Sequence, residues 1–237
     1  MRRFYAPIHN FVENGFSLDH DQTRHLRDVL RLRVSDEVRV FDAVGREFRC
    51  LINSIEKRQT ILSIIEETQP AAPESPFEIT LVAAVLKGEK FDLVIQKAVE
   101  LGVATLVPLQ TVRGDVKIKD VEKRMDRWRR IVLEATKQCG RSRLMRIADP
   151  TAFDLKFAGA KHTVLFSERG GGNFSTIIPG KKITAIVGPE GGWDDSELAA
   201  AISNNIPIVT LGGRILRAET AAVSIAAILQ HRFGDLK

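Results

Sequence analysis

Little in this sequence is suited to cross-linking, metal binding or membrane insertion. Its two cysteines, Cys50 and Cys139, lie far apart and outside any Cys-x-x-Cys pattern, so neither a disulfide framework nor a zinc site is expected. The five histidines, at 9, 20, 25, 162 and 231, show no metal-ligand spacing; each is expected as a surface or packing residue, and no metal is expected. No apolar run reaches the roughly 18–20 residues that cross a bilayer. The start, Met1-Arg2-Arg3-Phe4-Tyr5-Ala6-Pro7, has two basic residues but no apolar core of signal length behind them, so no export signal and a cytoplasmic location are expected. The usual nucleotide fingerprints are missing too: no GxGxxG follows the first strand of the α/β region and no GxxxxGK[ST] occurs, which removes the ordinary Rossmann and P-loop readings.

What is present is a chain with the make-up of a globular protein, long enough at 237 residues for one large domain or two smaller ones. Its net charge of +5 is unevenly spread. Residues 1–72 hold eleven basic and eleven acidic residues, whereas residues 113–146 hold twelve basic against five acidic, a net of +7. Such a stripe suits a phosphate backbone or is simply a solvated helix face.

The first seventy residues are expected to form a small β-rich module. A strand is expected over 2–8, a helix over 19–31 with Leu26, Val29 and Leu30 on one face, and strands over 37–41, 47–55 and 60–65. Arg24, Arg27 and Arg31 follow i, i+3, i+7 spacing and can share a face, with Arg33 close by. They form either an RNA surface of planar guanidinium forks or a salt-bridged face with Asp21 and Asp28. Arg2 and Arg3, beside Phe4 and Tyr5, combine cations with stacking surfaces, or else belong to an edge strand whose aromatics are core.

Pro70, Pro73 and Pro76 make residues 71–76 a stiff linker between a module at 1–70 and a second domain at 77–237. Beyond it apolar strands and helices alternate, which predicts a mostly parallel α/β sheet. Strands are expected over 77–86, 105–109, 164–167, 183–187 and 208–211. Helices are expected over 90–101, 120–137, 194–203 (Asp194 and Glu197 forming a capping box) and 218–233. Two of the strands run into glycine-rich loops, Gly188-Pro189-Glu190-Gly191-Gly192-Trp193 and Leu211-Gly212-Gly213-Arg214-Ile215-Leu216-Arg217-Ala218-Glu219-Thr220. Loops of this kind at the carboxyl ends of parallel strands form a ligand crevice. Gly170-Gly171-Gly172 is a flexible loop or a third edge of that crevice.

These two loops, with Glu197, resemble the C-terminal signature of the SPOUT-type RNA methyltransferases. They look most like the bacterial 16S rRNA (uracil-N3)-methyltransferase family. The stretches RRFY at the start, KFDLVIQKAVELGVATLVPLQ at 90–110 and EATKQCGR at 134–141 extend the likeness over nearly the whole chain. The resemblance implies a PUA-like RNA-binding β-barrel over 1–70 and a trefoil-knotted SPOUT domain over 77–237. It implies S-adenosylmethionine as cofactor, small-subunit rRNA or the 30S subunit as partner, and a homodimer whose partner copy helps complete the site. The alanines 218, 221, 222, 226 and 227 give the last helix a small-residue surface for such a contact or for packing within the chain. One departure stands out: Trp193 occupies the position after GPEGG where the family pattern leads us to expect Phe, which keeps the apolar packing but alters the pocket.

On that resemblance the cofactor candidates are Leu165, Phe166, Val187, Gly188, Glu190, Gly191, Gly192, Leu211, Gly212, Arg214, Ile215, Leu216 and Thr220. Leu165, Val187 and Leu211 serve equally as core, Glu190 as a turn carboxylate and Thr220 as a helix cap. Uracil N3 carries a proton and is a poor nucleophile until it leaves, so a site must remove the proton or stabilise the anionic ring. Arg217, as cationic stabiliser or phosphate contact, and Glu219, as base or orienter, are the catalytic candidates; a mutual ion pair is their alternative. Arg141 is a further RNA candidate. Methylation of a ribose 2′-oxygen or of tRNA, and a non-catalytic role in ribosome assembly, are the competing functions.

Overall fold

A computed structural model describes residues 2–116, 120–153 and 162–237. It comprises two compact units, one of residues 1–74 with 136–144, the other of 75–135 with 145–237.

In the first unit β1 (Arg3–Tyr5), β2 (Phe11–Val12), β3 (Gly15–Leu18), β4 (Glu37–Phe41), β5 (Glu47–Ile55) and β6 (Thr60–Thr68) form a curled half-barrel. Its strand order is β1-β4-β5-β6-β3-β2, and only the β1–β4 pair is parallel. Alternation puts Val38 and Val40 of β4 and Phe48, Cys50 and Ile52 of β5 inside with Phe4, Phe16 and Leu18. Burial pushes the Cys50 thiol up to about 12, so it is an inert core residue.

The helix expected over 19–31 is shorter. Asp19 caps α1 (His20–Arg24) through the Gln22 N–H, and a wider π-helical turn follows at His25–Val29. The wider turn breaks the 3.6-residue spacing: Leu26 is fully buried, Val29 is 65 % exposed and Arg31 lies beyond the helix at φ +54°.

In the second unit every described strand pair is parallel. The elements are β7 (Glu78–Ala84), α2 (Lys90–Glu100), β8 (Thr105–Gln110), α3 (Val121–Cys139, of which residues 136–139 belong to the first unit), β9 (Arg146–Ile147), β10 (Thr151–Ala152), β11 (Thr163–Phe166), β12 (Gly172–Asn173), β13 (Lys182–Val187), α4 (Asp195–Ser203), β14 (Ile208–Thr210) and α5 (Ala218–Phe233). The strand order is β10-β8-β7-β13-β11-β14-β12, with β9 also on β8. The central strands are apolar on both faces because helices cover the sheet: all of β11 is buried, and Val82, Val107, Leu165, Ile186 and Trp193 share one core. α3 buries Met125, Trp128, Val132 and Ala135 at helical spacing, the Trp128 ring 5.0 Å from Phe91. Among the described residues no helix is long and apolar enough to cross a membrane, and no group of side chains could hold a metal ion.

Candidate functional site

Strands β11, β13 and β14 are neighbours, and the loops beyond their carboxyl ends, with the start of α5, enclose a crevice of about 270 Å³. This is where an open parallel sheet offers loop backbone and helix N-termini to a ligand. Of the predicted cofactor residues, Phe166, Val187, Gly188, Glu190, Leu211, Gly212, Arg214, Ile215 and Leu216 line it. Leu165, Gly191, Gly192 and Thr220 do not. Leu165 is fully buried in the sheet core, Gly191 packs toward the Arg113 carbonyl, and Thr220 is exposed in the first turn of α5. Ser167, Glu168, Pro189, Trp193, Thr210, Ala218, Ala221 and Ile225 also line the crevice; of these the sequence points only to Trp193 as part of the pocket, and none is among the cofactor candidates. Ser167 and Thr210 lie at strand ends and Ala218, Ala221 and Ile225 repeat along one face of α5, whereas Glu168, Pro189 and Trp193 are brought in by the loops.

The crevice floor is held by Trp193. Its indole N–H donates to the Phe166 carbonyl at 2.8 Å, and its ring packs over Gly188, where a Cβ would stand 2.8 Å from the indole. One side chain thereby joins the loops after β11 and β13. A phenylalanine here would lack that hydrogen bond as well as the bulk, because only the indole has a donor to offer.

The loop after β13 is fixed again by Glu197, buried in α4. Its carboxylate accepts the Asp194 N–H at 3.0 Å, closing the predicted capping box, and the Val112 N–H at 2.9 Å. Asp194 in turn accepts from Ser196, and those bonds, ahead of the charge of Arg113, hold its carboxyl below the usual range. Glu190 is paired with Lys90 at the start of α2.

Arg217 is exposed, lines the crevice and occupies the N-cap position of α5. Glu219 lies in the first turn of α5 and does not line the crevice; one of its carboxylate oxygens is enclosed without a hydrogen-bond partner. Among the described residues no ion pair joins them. The residues present fit an adenosine-bearing cofactor. Gly212 lines the crevice at φ +105° with nothing within 4 Å of where a Cβ would stand, so backbone is bared to a ligand between apolar walls.

The RNA candidates divide. Arg2, Arg24 and Arg31 are exposed, and Arg27 is paired with Asp28 at 2.7 Å. Arg3 instead donates to Glu47 and to the carbonyls of Thr136, Lys137 and Arg141. Arg141 is 4 % exposed and bound to Glu74. Both brace the first unit and turn their guanidinium groups away from solvent. In the basic stripe Arg127 pairs with Asp92 and Arg129 with Asp126, while 117–119 lie outside the described residues. On α5, Ala218, Ala222 and Ala226 are buried within the chain, leaving Ala221 and Ala227 half-buried.

A family model described as RNA methyltransferase domain matches residues 73–230, and one described as RNA methyltransferase PUA domain matches 18–65. The chain is 34 % identical to ribosomal RNA small subunit methyltransferase E of Synechocystis over 95 % of its length and 76 % of that protein. It is 31 % identical to the protein so named in Buchnera aphidicola of Schizaphis graminum, over 99 % and 97 % of the two chains. A crystal structure of ribosomal RNA small subunit methyltransferase E from Neisseria gonorrhoeae, bound to S-adenosyl methionine, superposes over 100 % of both chains with a TM-score of 0.89 and 32 % identity.

Proposed function

This chain belongs to the ribosomal RNA small subunit methyltransferase E family, and from that premise we propose that it methylates N3 of a uridine in small-subunit (16S) ribosomal RNA, with S-adenosylmethionine as methyl donor. The observation that carries this is the crevice itself: bared glycine backbone and apolar walls at the carboxyl ends of three parallel strands, in a chain whose full-length relative from Neisseria binds that cofactor.

S-adenosylmethionine supplies an electrophilic methyl group on its own leaving group. The chain therefore has to bind, orient and manage one proton. Phe166, Val187, Leu211 and Ile225 would hold the adenine between apolar walls, and the backbone at Gly188 and Gly212 would offer it hydrogen bonds. Arg214 and Arg217 place positive charge at the mouth, where Arg217 stabilises the uracil ring as N3 loses its proton. Glu219, two residues from Arg217 in the first turn of α5, is the base or orienter for that proton.

Residues 1–70 are in this reading a PUA-like RNA-binding barrel, 71–76 the linker and 77–237 the SPOUT domain. Support for the knotted threading comes from strand order, since β13 is inserted between β7 and β11. A homodimer is supported by Ile215 at 84 % exposure, with Leu216 and Ile228 also exposed.

The test is transfer of labelled methyl to small ribosomal subunits lacking the modification, followed by digestion to nucleosides. Label in 3-methyluridine is the expected result. Label in a 2′-O-methylated nucleoside, or transfer only to tRNA, overturns the target. A folded protein that binds no cofactor is an assembly factor instead.

A further inference from the structure

The crevice lining contains two carboxylates, Glu168 and Glu190, and they stand in different situations. Glu190 is engaged by Lys90. Glu168 lies two residues past the end of β11, and among the described residues no hydrogen bond is made to it. Its neighbour Arg169 approaches only to 3.7 Å and is drawn off by Asp195 at 2.9 Å and by the Trp193 carbonyl at 3.3 Å. The carboxylate nevertheless has a prepared seat. It rests against Gly192, which holds φ +71°, and a Cβ there would meet Glu168 Oε1 at 2.9 Å. The second glycine of the Gly-Gly pair thus makes room for this carboxylate at the edge of the crevice.

We propose that Glu168 is a cofactor-binding residue that accepts hydrogen bonds from the ribose diol of the adenosine moiety. A carboxylate has two acceptor oxygens and a vicinal diol has two donors, and dinucleotide-binding α/β folds use an acidic side chain on a ribose hydroxyl in the same way. The inference rests on the cofactor reading above.

It is tested by calorimetric titration of wild type, Glu168→Ala and Glu168→Gln with S-adenosylhomocysteine and with 5′-methylthioadenosine, which keeps adenine and diol but lacks the ammonium and carboxylate. Glu168→Ala weakens both ligands by the same factor, about 10- to 100-fold for hydrogen bonds to a charged group. Glu168→Gln recovers part of the loss through its remaining carbonyl. Glu168 is an exposed loop residue, so thermal unfolding of the free variants stays at the wild-type temperature. Weakening of S-adenosylhomocysteine alone overturns the proposal in favour of an ammonium contact, and unchanged binding of both overturns it outright. If wild type binds neither ligand, it is the cofactor reading that falls.

Discussion

The two units use charge in opposite ways. In the first, Glu47 is fully buried and receives Arg3, Arg39, the Ser142 hydroxyl and the Ala71 N–H, while Arg141 is bound to Glu74. These contacts fasten residues 136–144 to the sheet, together with the Gly45 N–H donating to the Ser142 carbonyl and the Leu144 N–H to that of Ala43. In the second, backbone-directed bonds from Trp193 and Glu197 hold the crevice loops, the ion pairs on them, Lys90 with Glu190 and Arg169 with Asp195, involve part-exposed side chains, and the guanidinium groups of Arg214 and Arg217 are exposed. A buried charge needs its partners at all times, whereas a binding site needs charges still available to a ligand. The arginines of the first unit's latch are held in place by their partners, whereas those of the crevice are left available to a ligand.

The comparison breaks most visibly at Glu47. Glu47→Gln leaves Arg3 facing a neutral amide and is expected to destabilise the protein by about 3–5 kcal/mol, as when one partner of a buried ion pair is removed. Denaturant unfolding measures this, and the affinity of folded protein for S-adenosylmethionine stays at its wild-type value. The pH dependence sharpens the point. Burial pushes the Glu47 carboxyl up, but the hydrogen bond and charge of Arg3, with Ala71 and Ser142, outweigh it and leave the group below its ordinary value of 4.5. A depressed folded-state pKa contributes stability that is present above the unfolded value and lost as pH falls through the folded one. Wild type therefore loses stability on acidification below about pH 4.5 more steeply than Glu47→Gln.

Arg217 is the counterpart in the crevice. Arg217→Ala removes an exposed side chain with no partner among the described residues, so unfolding is unchanged within about 0.5 kcal/mol. Methyl transfer falls about 100- to 1000-fold, the scale for losing one group that stabilises developing negative charge. A variant that loses stability and keeps activity would reverse the roles assigned to the two regions.

How much of this was legible in the sequence follows from range of interaction. The second unit's helices and strands, and the Asp194 capping box, rest on periodicity and caps, which are local; the observed elements differ from the expected ones mostly by one or two residues at their ends. The hairpin β2–β3 was missed although Asn14-Gly15 signalled it, Asn14 standing at φ +59° in the turn. The π-helical turn at His25–Val29 had no such signal, and it places Arg31 beyond the helix that was expected to carry it. Arg141 shows the limit most clearly. Nothing near it in sequence reveals that Glu74, 67 residues away, will bury it. In the crevice the glycine loops were readable, but Glu168 and Ala221 enter only because the sheet brings three strand ends together.

A smaller effect is expected at Glu197. Glu197→Gln keeps one carbonyl acceptor but turns an amide N–H₂ toward one of the two backbone donors, leaving that N–H unsatisfied. The cost is about 2 kcal/mol, within the range for one buried unpaired group. Because Val112 and Asp194 are the donors, amide hydrogen exchange is expected to quicken at those two residues before it does elsewhere in the unit.

The smallest effect is expected at Trp193, where one substitution removes a hydrogen bond together with part of the ring's bulk. Trp193→Phe keeps an aromatic ring over Gly188 but deletes the donor to the Phe166 carbonyl, for a loss of about 1 kcal/mol in unfolding free energy. The carbonyl belongs to a crevice-lining residue at the end of β11, so freeing it loosens the loop that carries Glu168. S-adenosylhomocysteine affinity should therefore fall several-fold in Trp193→Phe. In a double-mutant cycle with Glu168→Ala the two losses should be less than additive, since both act through the same loop. Full additivity would mean that Trp193 stabilises the sheet without positioning the site.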